Sequence, residues 1–294
     1  MPHVIHLAKE FTVIHRSKRS KAVLATVGAV SLLALSACAN YSTPSTTPSA
    51  GASASAASVT LVSPGKLTVC THLSYKPFQY KDDSGKVVGF DVDIMDLVAK
   101  KLGVTQEIVD IDFAQVTSGA VFAAKKCDAA AAAVTINDAR KQAILFSDPY
   151  FNATQALLTK TGSGIKDLAG LKGKKLGVQT DTTGKEYAEK NKEANGYEIV
   201  VFDDMPSELA AVLAGRVDAA VNDNGVVYDY AKANPTSEVV AEFATGEQYG
   251  LLAQKDSPTA QALMDVINAE LKAAKAGTAY NDIYKKWFGV DAPM

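Results

Sequence analysis

A chain of 294 residues with 47% hydrophobic content is long enough for two compact domains and supplies apolar material for two cores, which excludes a disordered protein. Its formal net charge is −2. Five basic residues (Lys9, Arg16, Lys18, Arg19, Lys21) and one acid, Glu10, fall in the first 37 residues; the remainder is more acidic and lacks the basic face that nucleic acid requires.

The first predicted element is an export signal: the basic run HRSKRSK precedes the apolar AVLATVGAVSLLALSA, which is shorter than the roughly 20 residues of a spanning helix. Leu35-Ser36-Ala37-Cys38 resembles the bacterial lipobox. That resemblance makes residues 1–37 a lipoprotein signal peptide and Cys38 the lipidated first residue of the mature chain; an uncleaved membrane anchor is the alternative. The Ser, Thr, Ala, Pro and Gly stretch that follows cannot bury enough surface to offset its chain entropy. A flexible tether is therefore expected over residues 38–63.

The folded body begins with a β-rich run, KLTVCT (66–71). A helix follows in GFDVDIMDLVAKKLG, where Phe90, Ile94, Leu97, Val98 and Leu102 recur at helical spacing, Asp91 and Asp93 favour its start, and Gly103 its end. VDIDF (109–113) and the alanine-rich end of FAAKKCDAAAAAVT (122–135) read as further strands, and VTINDARKQ (134–142) runs from that strand into a helix capped by Asn137. Similar modules then recur: KLGVQT (175–180), VVFDD (200–204), the helical SELAAVLAG with Ser207 as a plausible cap, and VLAGRVDAAVND (212–223). This faint repeat predicts two similarly built lobes. Cys70 and Cys127 are exported with the body, so a disulfide is permissible, with two buried thiols as the alternative. Of four histidines only His72 survives removal of the leader, which argues against a His-based metal cluster.

Strands alternating with helices predict mostly parallel sheets covered on both faces, with ligands bound beyond the carboxyl ends of the strands. Those ends carry Thr71, His72, Phe113, Thr135 and Arg140 in one lobe, and Gln179, Thr180, Thr182, Asp203 and Asp223 in the other. Arg140 falls in the first helical turn, where the dipole disfavours a cation unless an anion lies beside it. The bland alternatives are a surface ion pair for Arg140, a turn former in Asp223, core aromatics in Tyr75 and Phe113, and a structural histidine in His72.

The motifs YKPFQY, VVGFDVDIMDLVAKKLG, AAVTINDARKQAILFSDPYF, LKGKKLGVQTDTTG, GRVDAAVNDN and GTAYNDIYKKWFG, in that order, resemble the extracellular solute-binding proteins (family 3) of polar amino-acid ABC transporters. The resemblance covers about Gly65 to Gly289 and implies the α/β, two-lobed type II periplasmic-binding-protein fold. Lobe 1 would comprise residues 64–154 plus 248–294 and lobe 2 residues 155–247, joined by two hinge crossings near FNATQALL and EQYGLLAQ. It further implies that Arg140 grips a ligand carboxylate, helped by Thr135 and a backbone N–H near it, with Ala133 among the contacts. A guanidinium gives two parallel bonds to a carboxylate, which lysine cannot. Thr182 would add a hydroxyl or amide, Asp223 would hold the ammonium, and Tyr75 and Phe113 would wall the pocket. His72 stands where relatives commonly carry an Asp, and Gln179 where some glutamine binders place a lysine, so a polar uncharged or acidic ligand side chain is favoured.

The reading is a lipid-anchored, extracytoplasmic and monomeric binding component that hands an amino acid to ABC permease subunits, with no cofactor, no metal, no nucleic acid and no catalytic residue. The rivals are a dehydratase or lyase using His72 as general acid or base, and a sensor that binds an amino acid without transporting it.

Overall fold

The computed structural model describes residues 58–293. The expected signal peptide, Cys38 and most of the expected tether lie outside the described residues. The last tether residues belong to the folded body: Val59 and Leu61 pack against the main core, the Val62 N–H donates to Asp128 Oδ1 (2.6 Å), and Ser63 bridges to Lys66. A boundary at 63 is too late, because the Ser- and Ala-rich surroundings of VTLV mask its alternating apolar positions.

In chain order the elements are β1 (Lys66–Thr71), β2 (Tyr80–Lys81), β3 (Val87–Val88), α1 (Phe90–Leu102), β4 (Thr105–Asp110), α2 (Phe113–Thr117), α3 (Ala120–Ala123) and β5 (Ala129–Thr135). Next come α4 (Asp138–Lys141), β6 (Ile144–Phe146), β7 (Phe151–Lys160), β8 (Lys175–Gln179), α5 (Thr183–Asn195) and β9 (Glu198–Phe202). The chain continues through α6 (Met205–Ala214), β10 (Ala219–Asp223), α7 (Asn224–Ala233), β11 (Ser237–Gln254), α8 (Pro258–Ala276) and α9 (Ala279–Phe288).

The main sheet has the order β4-β1-β5-β11-β7-β10-β8-β9, with β6 added on β11. Its two ends are built alike. In β4-β1-β5 and again in β9-β8-β10 the first strand in sequence lies between the second and third, and all pairings are parallel. The faint repeat of the sequence is thus a repeat of topology. Between the two ends run the long strands β7 and β11, antiparallel to each other; β11 also pairs with β5 and β7 with β10. The register of β11 against β7 shifts between Phe243 and Glu247, close to the cleft.

Strand β5 shows why alanine is used. It is buried along its whole length, with Ala129, Ala131 and Ala133 on one core cluster and Ala130, Ala132 and Val134 on another. Side chains alternate across a strand, and methyl groups let elements on both faces approach closely. Helix α1 ends at Gly103 in the left-handed region, as its sequence predicts. Helix α6 begins earlier than the Ser207 cap implies: Asp204 is its N-cap, accepting from the Ser207 N–H, with Pro206 in the first turn.

The loop that carries Tyr75 and Gln79 is fastened to the start of α1, because the Phe90 and Asp91 N–H groups donate to the Pro77 and Phe78 carbonyls (3.0 Å each). Gly89 permits this, since its φ is 146° and a Cβ there would overlap the Phe78 carbonyl. Asp91 does more than favour the helix start. It is buried, its Oδ2 accepts from the Ala133 N–H (2.8 Å) and its Oδ1 from the Tyr150 hydroxyl (2.7 Å). Burial pushes its pKa up to about 7, against the lowering effect of those two bonds.

Cys70 on β1 and Cys127 before β5 form a disulfide with Cα atoms 5.7 Å apart, so the alternative of two free thiols is set aside. The bond ties β1 to the segment leading into its parallel neighbour β5, across a sequence separation of 57 residues. Closing a loop of that length restricts the unfolded chain by about 4 kcal/mol at most. The double variant Cys70→Ser/Cys127→Ser is expected to lose about 2–4 kcal/mol in urea unfolding; unchanged stability would show that the bond contributes nothing.

Candidate ligand-binding site

At the carboxyl ends of the parallel strands lies a cleft with about 350 Å³ of space between protein atoms, part of it open to solvent. All nine residues singled out as ligand contacts line it: His72, Tyr75, Phe113, Ala133, Thr135 and Arg140 on one wall, Gln179, Thr182 and Asp223 on the other. Gln79, Ala132 and Thr183 join them. A larger depression of about 1500 Å³ beside Lys141, Ser147 and Gln261 is mostly open to solvent and gathers no comparable set of buried polar groups.

Arg140 is placed by α4, a single helical turn whose N-cap Asn137 accepts the Arg140 N–H (2.8 Å). The residue is only 8% exposed, and its guanidinium spans the cleft, donating to the Thr135 carbonyl (2.9 Å) on one wall and the Asp181 carbonyl (2.8 Å) on the other. Phe113 lies under it, 5.7 Å from ring centre to guanidinium carbon. Burial pushes the guanidinium pKa down, and Glu186, Asp223, Glu247 and Asp181 oppose that. The oddity of a cation early in a helix is therefore met by acceptors gathered from both walls.

Asp223 ends β10 and is buried. Its Oδ1 accepts from Gln155 Nε2 (2.6 Å), and its Oδ2 accepts from the hydroxyls of Tyr75 (2.7 Å) and Tyr249. Tyr75 Oη is also 2.7 Å from Asn222 Oδ1, so its one proton serves one acceptor at a time. Burial, and then the neighbouring charge of Glu247, raise the Asp223 pKa to about 6; the three donors pull it back. A carboxylate has about four acceptor sites, so one remains for a further donor.

Two contacts differ from expectation. The Ala133 N–H is taken by Asp91, so the backbone donor near Thr135 is not the one at Ala133. The Thr182 hydroxyl is also committed: it caps α5 by accepting from the Lys185 N–H (3.1 Å) and donates to the Gln179 carbonyl (2.8 Å). Thr182 can still contribute its amide, since the first N–H groups of a helix have no partner within it. Phe113 and Tyr75 wall the cavity as expected, and His72 sits 6.2 Å from Phe113, ring to ring. Trp287 packs edge-on against Tyr80 and donates to Asp93 Oδ2 (2.6 Å), away from the cleft.

The sequence reading missed the polar layer behind the cavity. Glu247, on β11, accepts from the Thr135 hydroxyl (3.0 Å), the Thr183 hydroxyl (2.8 Å) and Gln155 Nε2 (3.1 Å). One carboxylate thereby collects groups from both walls. Gly184, behind Thr183, leaves room for Gln155: a Cβ there would sit 2.7 Å from its Oε1. Among the described residues no group of His, Cys, Asp and Glu is placed to hold a metal, and no helix is long and apolar enough to cross a membrane.

Residues 67–290 match the family model of bacterial extracellular solute-binding proteins, family 3. The ABC transporter glutamine-binding protein GlnH of Bacillus subtilis (strain 168) is 35% identical over 71% of this chain and 75% of its own length. A solved ancestral arginine-binding protein bound to arginine is 39% identical, with a TM-score of 0.71 over 76% of this chain and 99% of that one. A second structure, of an ancestral arginine-binding protein bound to glutamine, gives the same identity and TM-score over 77% and 99%. These structures share the type II arrangement, and all three relatives are binding proteins and not enzymes. The chain belongs to the bacterial extracellular solute-binding proteins, family 3, and is a binding protein.

Proposed function

We propose that this chain is the lipid-anchored, monomeric binding component of an ABC importer, capturing a free amino acid between its lobes and delivering it to permease subunits. One observation carries the reading: a buried cation, Arg140, and a buried carboxylate, Asp223, line one cavity from opposite walls. An α-amino acid carries the complementary pair of charges on one carbon. Only a ligand touching both walls favours the closed form over the open one, so capture and closure are the same event. Residues 64–154 plus 248–294 would move as lobe 1 and 155–247 as lobe 2, hinged within β7 and β11. The names of the glutamine- and arginine-binding relatives support an amino-acid ligand.

A polar, uncharged side chain suits the site better than an acidic one. Among the described residues Arg140 is the one basic residue lining the cavity apart from His72, and a ligand's α-carboxylate engages it. A second carboxylate would find no second arginine or lysine among the described residues lining the cavity, at the cost of its desolvation.

Three outcomes check this reading. In calorimetric titrations with the proteinogenic amino acids, at least one is expected to bind well below millimolar, and Arg140→Met to weaken it at least 100-fold, about 3 kcal/mol, with its melting curve preserved. Binding by none of them, or equal binding by the variant, would sink the proposal.

The second outcome concerns pH. In the free cleft Asp223 keeps its proton up to about pH 6, and an ammonium needs the carboxylate. Affinity is expected to be flat above that value and to fall by up to about tenfold per unit below it, with proton release on binding; an unchanged affinity from pH 7 to 5 would contradict the role of Asp223. The third concerns the anchor: Cys38→Ser is expected to move the protein from the membrane fraction to the soluble one, and retention at the membrane would argue against lipid attachment there.

A further inference from the structure

Resting on that reading, we propose that the bound amino acid carries N–H donors at the end of its side chain, a carboxamide or a guanidinium, received by Gln79, Gln179 and His72. The argument comes from how these three side chains are oriented. Gln79 and Gln179 are 1% and 2% exposed, and both line the cavity. Gln79 Nε2 donates to the His72 carbonyl (3.2 Å), and Gln179 Nε2 faces the Asp203 carbonyl (3.5 Å). A carbonyl only accepts, so each amide must turn its nitrogen toward that partner and keep its oxygen as the other end. Both of those oxygens are buried and have no hydrogen-bond partner.

His72 follows the same rule. Its Nδ1 lies 3.0 Å from the Ile111 carbonyl, which fixes the proton there and leaves Nε2 of the neutral ring as an acceptor. That nitrogen, too, is buried and unpartnered.

Buried polar groups are normally paired, because leaving one unpaired forfeits its hydration without return. Three unpaired acceptors on the lining of one cavity form a receptor for donors. Carboxamide and guanidinium groups present two or more N–H bonds in a plane. A carboxylate would set acceptors against acceptors, an alkyl chain would leave all three unpaired, and a hydroxyl has a single proton to give. Among the described residues, Asp223 is the only carboxylate lining the cavity. Selection at this end therefore works by hydrogen-bond polarity and not by charge pairing.

The test is calorimetric titration of the full chain in detergent with glutamine, glutamate, arginine and norvaline, four ligands with the same α-carbon groups. Glutamine or arginine is expected to bind at least about 100-fold tighter than both glutamate and norvaline, since a site built for hydrogen bonding rejects analogues that cannot make the bonds. The stronger of the two identifies carboxamide or guanidinium. Glutamate or norvaline binding as tightly as glutamine and arginine would overturn the inference while leaving amino-acid capture standing. If none of the four nor any other amino acid binds, capture itself fails and this inference with it. Gln79→Met and Gln179→Met keep the side-chain length but remove the acceptor. Each is expected to lower the ratio of donor-ligand to norvaline affinity by about tenfold; an equal loss for both ligands would mark a packing role and refute recognition by that residue.

Discussion

A guanidinium taken out of water must find acceptors, and in this chain that demand organises the cleft. Arg140 emerges from a helix too short to stabilise anything by itself, and Asn137 fixes its backbone by capping. Its side chain then reaches the Thr135 carbonyl on its own wall and the Asp181 carbonyl on the facing one. Asp181 has a positive φ of 57°, an uncommon conformation that Asp tolerates better than most residues. The cation's position thus depends on the end of β5, on the turn before α5, and on both lobes lying close together.

Behind Arg140 stands a second constraint, the treatment of buried acid. Asp91, Glu208 and Asp223 are all inside the protein, and burial raises the pKa of each. Their roles differ with their partners. Asp91 holds the end of β5 to α1, and Glu208 accepts from Asn222, the residue beside Asp223. Asp223 alone of the three lines the cavity. Asp91 and Glu208 brace the strand ends on which the cleft residues sit.

Much of this was legible in the sequence because the signals were local. The spacing of Phe90, Ile94 and Val98 with Gly103 marks α1, and the rule that ligands bind beyond strand ends picks out residues of both walls without a structure. What escaped depends on where a hydrogen goes. Ala133 and Thr182 are in the cleft, yet their donors are spent on Asp91 and on the Gln179 carbonyl, partners that spacing cannot reveal. Gln79 sits inside a motif that resembles the family's, but nothing in YKPFQY says which end of its amide is bound. Ser207 lost the cap of α6 to Asp204 because the helix starts three residues sooner, with Pro206 in its first turn. Val59 and Leu61 were hidden by the composition around them.

Glu247 changes how a closed cleft should be understood. Its carboxylate takes hydroxyls from Thr135 and Thr183 on opposite walls, and Gln155 joins it to Asp223 from the neighbouring strand. These bonds belong to the protein alone. The closed arrangement therefore has cohesion of its own, and a ligand supplies only the remainder of the free energy that holds the walls together. Under the proposed capture mechanism, a residue that does not line the cavity would contribute to the receptor's resting poise. Affinity can then drift, over evolutionary time, through changes at position 247 while every residue lining the cavity stays the same.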